Sequence, residues 1–214
     1  MIAVHYMCNH GDDDLVTDAA RVSFDRQAEN FGPHQNERLI NFLAREKHTA
    51  PFTHPTATFR CKAPIFMARQ LAKHQVGGTW NEVSRRYVTT SPEFWKPDFF
   101  RAAADDVKQG SSQDPHRRSD EFIEEYLDIC IDAVAAYNKM VALGICTEQA
   151  RAILPQGAVT EWVWTGSLLF WSRVYLLRSA NNTQAETREF ADLIDEQMSA
   201  LYPISWKALT NGRT

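Results

Sequence analysis

Apolar and polar positions recur along most of the chain with enough regularity to place its elements. The opening IAVHYM reads as a short strand that runs into an acidic turn, GDDD. DLVTDAARVSF predicts a short helix ending near Ser23 and Phe24, followed by the polar connection DRQAENFGPHQ. In NERLINFLAREKH, Leu39, Phe42 and Leu43 form an apolar stripe at helical spacing. Residues 55 to 62, PTATFRCK, alternate in polarity and predict a strand. Pro64 suits the first turn of a helix, PIFMARQLAKH, where its missing N–H has no partner to lose.

The second half is more helical. Residues 101 to 118, RAAADDVKQGSSQDPHRR, hold few apolar side chains and read as a surface insertion or mobile loop. From Ser119 a long helix carries Phe122, Tyr126, Ile129, Val134, Tyr137 and Val141 on one side, and Gly144 is its natural stop. Thr147 can cap a brief helix, TEQARAIL, which Pro155 ends. Thr160 to about Arg178 reads as one helix with many aromatics. Thr183 and Glu186 have capping-box spacing for a last helix through Leu201. The expected fold class is α+β: a mostly helical domain with a small mixed or antiparallel sheet. The alternating βα units are too few for a doubly wound sheet.

Composition narrows the functional classes. The 214 residues fit one domain over 1–214, with 44% apolar and 23% charged residues, as in an ordinary soluble protein. A net charge of -4 supplies no basic field for nucleic acid, so any anion site must be a local cluster of cations. No apolar run is long enough for a membrane span, and MIAVHYMCNH lacks the regions of a signal peptide. The four cysteines form no CxxC pair, and neither they nor the seven histidines show zinc-ligand spacing. A cytoplasmic protein without a structural metal is expected.

The chemistry concentrates in residues 73 to 88, KHQVGGTWNEVSRRYV. Adjacent glycines let backbone N–H groups approach an anion, although such pairs chiefly mark turns. Ser84, Arg85 and Arg86 offer a hydroxyl and two guanidinium groups, which bind phosphate oxygens bidentately. Neighbouring arginines point in different directions, so one can serve structure while the other binds. Glu82 can hold an arginine by an ion pair, and Trp80 is either core or a wall beside a planar ring. Arg151 in QARAILP and Arg178 in WSRVYLLR end apolar turns, where a cation also complements the helix dipole. His48 and His54 flank TAPFT, and a lone histidine is more often structural than catalytic.

Together AARVSF, HTAPFTH, FRCKAPIFMARQLAKHQ, NEVSRRY, ARAILP and LLRS resemble the flavin-dependent thymidylate synthases, in the same order and over most of the chain. The resemblance implies reductive methylation of deoxyuridine monophosphate (dUMP), with 5,10-methylenetetrahydrofolate giving the carbon, reduced FAD the hydride, and NADPH reducing the flavin. It implies a nucleotide site at Gln70, Ser84, Arg86 and Arg151, with Arg85 beside them and Arg178 near the pyrimidine ring. Arg178 and His48 fall on catalytic positions. Ser23, Lys73, His74, Gln75, Asn81, Glu82, Arg173 and Asn182 fall to the flavin site. The family is a homotetramer with sites shared between subunits. An ordinary thymidylate synthase needs a cysteine nucleophile, whereas none of the four cysteines here has reactive surroundings and the flavin route requires none.

The chain also departs from the family pattern. Lys73-His74-Gln75 replaces Arg-His-Arg, which removes a planar fork and one charge. One residue is added before Asn81, and Ala50 stands where threonine is frequent. Ser167 and Arg173 stand where asparagines are usual, and Asn182 where histidine is usual. These changes fall on the flavin side. Two rivals therefore stand beside the main reading: a deoxypyrimidine monophosphate hydroxymethylase on the same scaffold, and a non-catalytic nucleotide-binding or assembly protein that has lost flavin.

Overall fold

The computed structural model describes residues 1–104 and 112–211. Strand β1 (Ala3–His10) is followed by helices α1 (Asp13–Arg21) and α2 (Pro33–Arg45), strand β2 (Thr56–Pro64), helix α3 (Ile65–Leu71) and strand β3 (Gly78–Glu82). Then come α4 (Ser119–Ala142), α5 (Thr147–Ala150), β4 (Val159–Ser167), α6 (Leu168–Arg178), α7 (Ala185–Leu201) and α8 (Pro203–Thr210). The strands form one sheet in the order β1-β2-β4-β3. The α+β class with a small sheet holds. Among the described residues no helix is long and apolar enough to cross a membrane.

The chain divides into two compact units. One comprises Met1–Ile2, Lys62–Lys73 and Asn81–Trp162. Its long helix α4 buries Ile123, Cys130 and Tyr137, two turns apart each time, and leaves Phe122 and Ile129 exposed. Of the expected stripe Tyr137 is buried and Tyr126, Val134 and Val141 are half-buried, while Ile123 and Cys130 take the buried places expected of Phe122 and Ile129. Gly144, at φ +87, ends this helix as expected, since the left-handed conformation favours glycine. The read insertion at 101–118 has paired flanks: Arg101 bridges Pro115, and the His116 N–H donates to the Phe100 carbonyl at 2.8 Å. Residues 105–111 of that stretch lie outside the described residues.

The other unit comprises Ala3–Cys61, His74–Trp80 and Val163–Thr214. Its acidic turn is a set of caps. Asp12 accepts from the N–H groups of Asp14 and Leu15 and opens α1. Asp13 accepts from those of Ile204 and Ser205, both at 2.9 Å, and so serves the start of α8, a helix that the sequence pattern did not announce. The core is aromatic. Trp164 is fully buried, with ring centroids of Trp80, Phe170 and Trp171 at 4.9, 5.3 and 5.0 Å, all edge-on.

Three expectations are corrected. Residues 160–178 are not one helix: β4 runs to Ser167, where the chain turns into α6. Thr160, Trp162, Trp164 and Gly166 are buried while Glu161, Val163 and Thr165 are half-buried, which is the period of two of a strand. The expected capping box at Thr183 does not form, because the Thr183 hydroxyl donates to the Leu177 carbonyl and α7 opens after Gln184 without a side-chain cap. Pro64 ends β2 and is the N-cap of α3, one position before the first turn expected of it.

The turn from β4 into α6 rests on close packing. Phe170 is buried against Gly166 and Gly78: a Cβ at Gly166 would lie 2.0 Å from the ring, and one at Gly78 would lie 2.6 Å from it. Ser167 caps α6 by accepting from the Phe170 N–H at 3.1 Å. Gly166→Ala should therefore destabilise the protein by about 1–3 kcal/mol in urea unfolding, the usual range for overpacking. In a Phe170→Ala background the same change should cost much less. Equal losses in both backgrounds would contradict this packing account.

Candidate functional site

The candidate residues fall into a cluster in each unit. In the first unit, Ser84 and Arg86 leave the end of β3 together: the Ser84 hydroxyl accepts from the Arg86 backbone N–H at 3.3 Å and from its Nε at 3.4 Å. The Arg86 guanidinium lies 5.0 Å over the Tyr87 ring and 3.9 Å from the Glu148 carboxylate. Arg151 donates from Nε to the Glu148 carbonyl at 3.2 Å. The short helix α5 thus links the two arginines through Glu148, by its carboxylate to Arg86 and by its backbone carbonyl to Arg151. A dianionic oxyanion suits such a set, because each group donates and the cations offset the charge.

Sequence reasoning missed two contributors here. Thr147 does not cap α5; Cys146 precedes the helix, and the Thr147 hydroxyl donates to the Arg86 carbonyl. Glu148, three residues before Arg151, holds both arginines. Its spacing was the available signal. Arg85 donates to the Thr90 carbonyl and closes its own loop, so the consecutive arginines have separate tasks. The Glu82 carboxylate accepts from the Thr160 hydroxyl at 2.8 Å. Asn81 and Lys73 are exposed, and Gln70 is half-buried at the end of α3.

In the second unit the His74 imidazole and the Arg178 guanidinium meet. Arg178 Nε donates to His74 Nε2 at 2.8 Å. Burial, with the nearby Arg178 charge second, lowers the His74 pKa to about 4. Burial also lowers that of Arg178 from its usual value. His74 is therefore neutral near pH 7, with its proton on Nδ1. The glycine pair after it has a packing role: Gly78 makes room for Phe170, and Gly77, at φ +89, turns the chain and accepts from the Ser167 N–H.

The structure leaves the remaining flavin-side candidates at the surface. Ser23 lies on the turn Val22–Phe24, Gln75 follows His74, Arg173 is on the outer face of α6, and Asn182 is in the turn before α7. His48 is exposed with its ring edge-on to Phe42, centroids 5.9 Å apart. The arginine of AARVSF is structural: Arg21 is buried, donates to Asn36 at 2.6 Å and lies 3.8 Å over Phe31. Ser167, which stands where asparagine is usual in the resemblance, is the cap of α6, a position that serine and asparagine fill equally well. The buried Cys61 thiol is pushed far up by burial, which removes it as a nucleophile.

The His74 shift has a consequence for stability. A folded pKa near 4 against an unfolded value of about 6.5 means that the unfolded chain takes up a proton first as pH falls. This contribution to stability is whole above about pH 6.5 and is progressively lost down to about pH 4. Replacing His74 with glutamine should flatten the fall in stability over that window. Urea unfolding at several pH values tests this, and parallel curves for the two proteins would contradict it.

Comparisons with known proteins agree on one family. The family model of the thymidylate synthase complementing protein matches residues 4–204. The flavin-dependent thymidylate synthase of Thermus thermophilus is 33% identical over 92% of this chain and 72% of its own length. That of Thermosipho melanesiensis is 32% identical over 85% of this chain and 78% of its own. Among solved structures, the UMP/dUMP methylase PolB of Streptomyces cacaoi, bound with 5-Br dUMP, superposes with a TM-score of 0.88. It is 26% identical and covers 99% of this chain and 95% of its own. By the span of the family match and by these relatives, the chain belongs to the flavin-dependent thymidylate synthase family.

Proposed function

We propose that this protein methylates dUMP reductively to thymidylate, with 5,10-methylenetetrahydrofolate as carbon donor and FAD, reduced by NADPH, as reductant. The observation that carries the reading is the linkage of Ser84, Arg86 and Arg151 through Glu148, a set suited to a nucleotide phosphate, in a chain similar to a UMP/dUMP methylase. Gln70 completes the nucleotide side of the proposal, and Arg85 supports it by closing the loop that carries Arg86. Arg178 faces the pyrimidine ring and stabilises the electron density that develops on it as C5 is made nucleophilic, before the bond to the folate carbon forms. His48 is the second catalytic position.

The flavin residues fit the group by their chemistry. Lys73 and Arg173 are exposed cations suited to a pyrophosphate, and Ser23, Gln75, Asn81 and Asn182 offer hydroxyl and amide groups for the hydrogen-bonding edge of the ring system. His74 and Glu82 complete the set. Bound and reduced, the flavin supplies the hydride that turns the transferred carbon into a methyl group. Residues 1–214 act in this reading as one catalytic domain, since the family match runs through both compact units. A homotetramer with shared sites and a cytoplasmic location belong to the same proposal.

Arg86→Ala and Arg151→Ala should each weaken dUMP binding by about 1.5–3 kcal/mol, the range for a lost hydrogen bond to a charged group, as read by calorimetry. Unchanged affinity in both would overturn the phosphate assignment. Arg178→Ala should fold normally yet lose turnover, and near-normal turnover would remove Arg178 from the chemistry.

A further inference from the structure

We propose that His74 is a positioning residue whose neutral imidazole fixes the plane of the Arg178 guanidinium. The inference rests on Arg178 being the group that meets the pyrimidine in the proposed reaction. A guanidinium cannot accept a hydrogen bond, so the 2.8 Å contact requires Nε2 of His74 to be the acceptor and Nδ1 to carry the proton. The donor is Nε, at the root of the arginine fork, and holding that atom sets the orientation of the two terminal NH2 groups.

Both partners stand on rigid supports within one compact unit. Arg178 closes α6, whose first turns bury Leu168, Leu169, Phe170 and Trp171. The His74 ring is 6.5 Å from that of the fully buried Trp164. The ring contacts of Trp164 with Trp80, Phe170 and Trp171 leave it little freedom to move. A neutral acceptor also has an electrostatic advantage at this contact. A carboxylate there would orient the guanidinium equally well but would offset the positive charge that a developing anion needs. The histidine orients the group without itself adding a negative charge to it.

The test has two arms. In the first, protein labelled with 15N-histidine is examined by NMR without any ligand. The unmodified protein should show His74 in the Nδ1–H tautomer, and Arg178→Ala should convert it to a mixture with Nε2–H. An Nε2–H tautomer in the unmodified protein, or one unaffected by Arg178→Ala, overturns the inference. In the second, thymidylate formation is measured for a double-mutant cycle with Arg178→Lys, which keeps the charge but lacks the fork. His74→Ala should lower kcat at least tenfold, and His74→Gln, which keeps an acceptor oxygen, should recover part of it. In the Arg178→Lys background His74→Ala should add little. Full additivity, with flavin content and melting temperature unchanged, would show that His74 acts independently of Arg178 and overturn the proposal. Absence of thymidylate from the unmodified protein counts against the proposed reaction instead, and the tautomer arm decides the contact in either case.

Discussion

The turn at Ser167 is the constraint on which one half of the candidate site depends. There a strand with buried tryptophans becomes a helix whose last residue is Arg178. The turn is possible because the Phe170 ring takes the space that side chains at Gly78 and Gly166 would need. Gly78 belongs to the segment that begins with His74, so the packing that fixes the helix start also fixes the segment that meets the helix end. An unbranched aromatic core with edge-on ring contacts resists the sub-ångström shifts that would misalign two side chains held at 2.8 Å.

The cluster in the other unit is built on a different principle. Its groups are exposed, and surface ion pairs contribute at most about 1 kcal/mol each to folding. Glu148 is 3.9 Å from Arg86, a loose contact with both side chains largely in water. Such a pair does little for stability and leaves the Arg86 guanidinium adjustable. The contrast suits the proposed division of labour. A phosphate dianion is bound by charge and can tolerate adjustable partners, whereas stabilising charge on a ring needs a donor held in one direction.

Much of this was legible in the sequence. The strands at the start and at PTATFRCK, the helix ending at Gly144 and the α+β class follow from periodicity and glycine chemistry. The site residues were legible only through the resemblance, because KHQ, a glycine pair and two arginines are each ambiguous in isolation. What was not legible has physical reasons. The strand Val159–Ser167 is buried or half-buried throughout and the first turns of helix Leu168–Arg178 are buried, so their apolar residues run together and the period of two in TEWVWTG is masked by length. The stripe on α4 differs at Phe122 and Ile129, exposed apolar residues that hydrophobicity alone cannot separate from core. The caps of α8 come from Asp13, nearly the whole chain away. No local pattern carries that information.

The central claim is that the chain transfers a folate carbon to a pyrimidine nucleotide and reduces it there. The most direct measurement is an anaerobic incubation of purified protein with FAD, NADPH, dUMP and methylenetetrahydrofolate labelled at its transferred carbon, followed by mass analysis of the nucleotide. The account predicts labelled thymidylate, a nucleotide carrying one methyl group. A labelled hydroxymethyl product, or unchanged dUMP from protein that has bound its flavin, would contradict it.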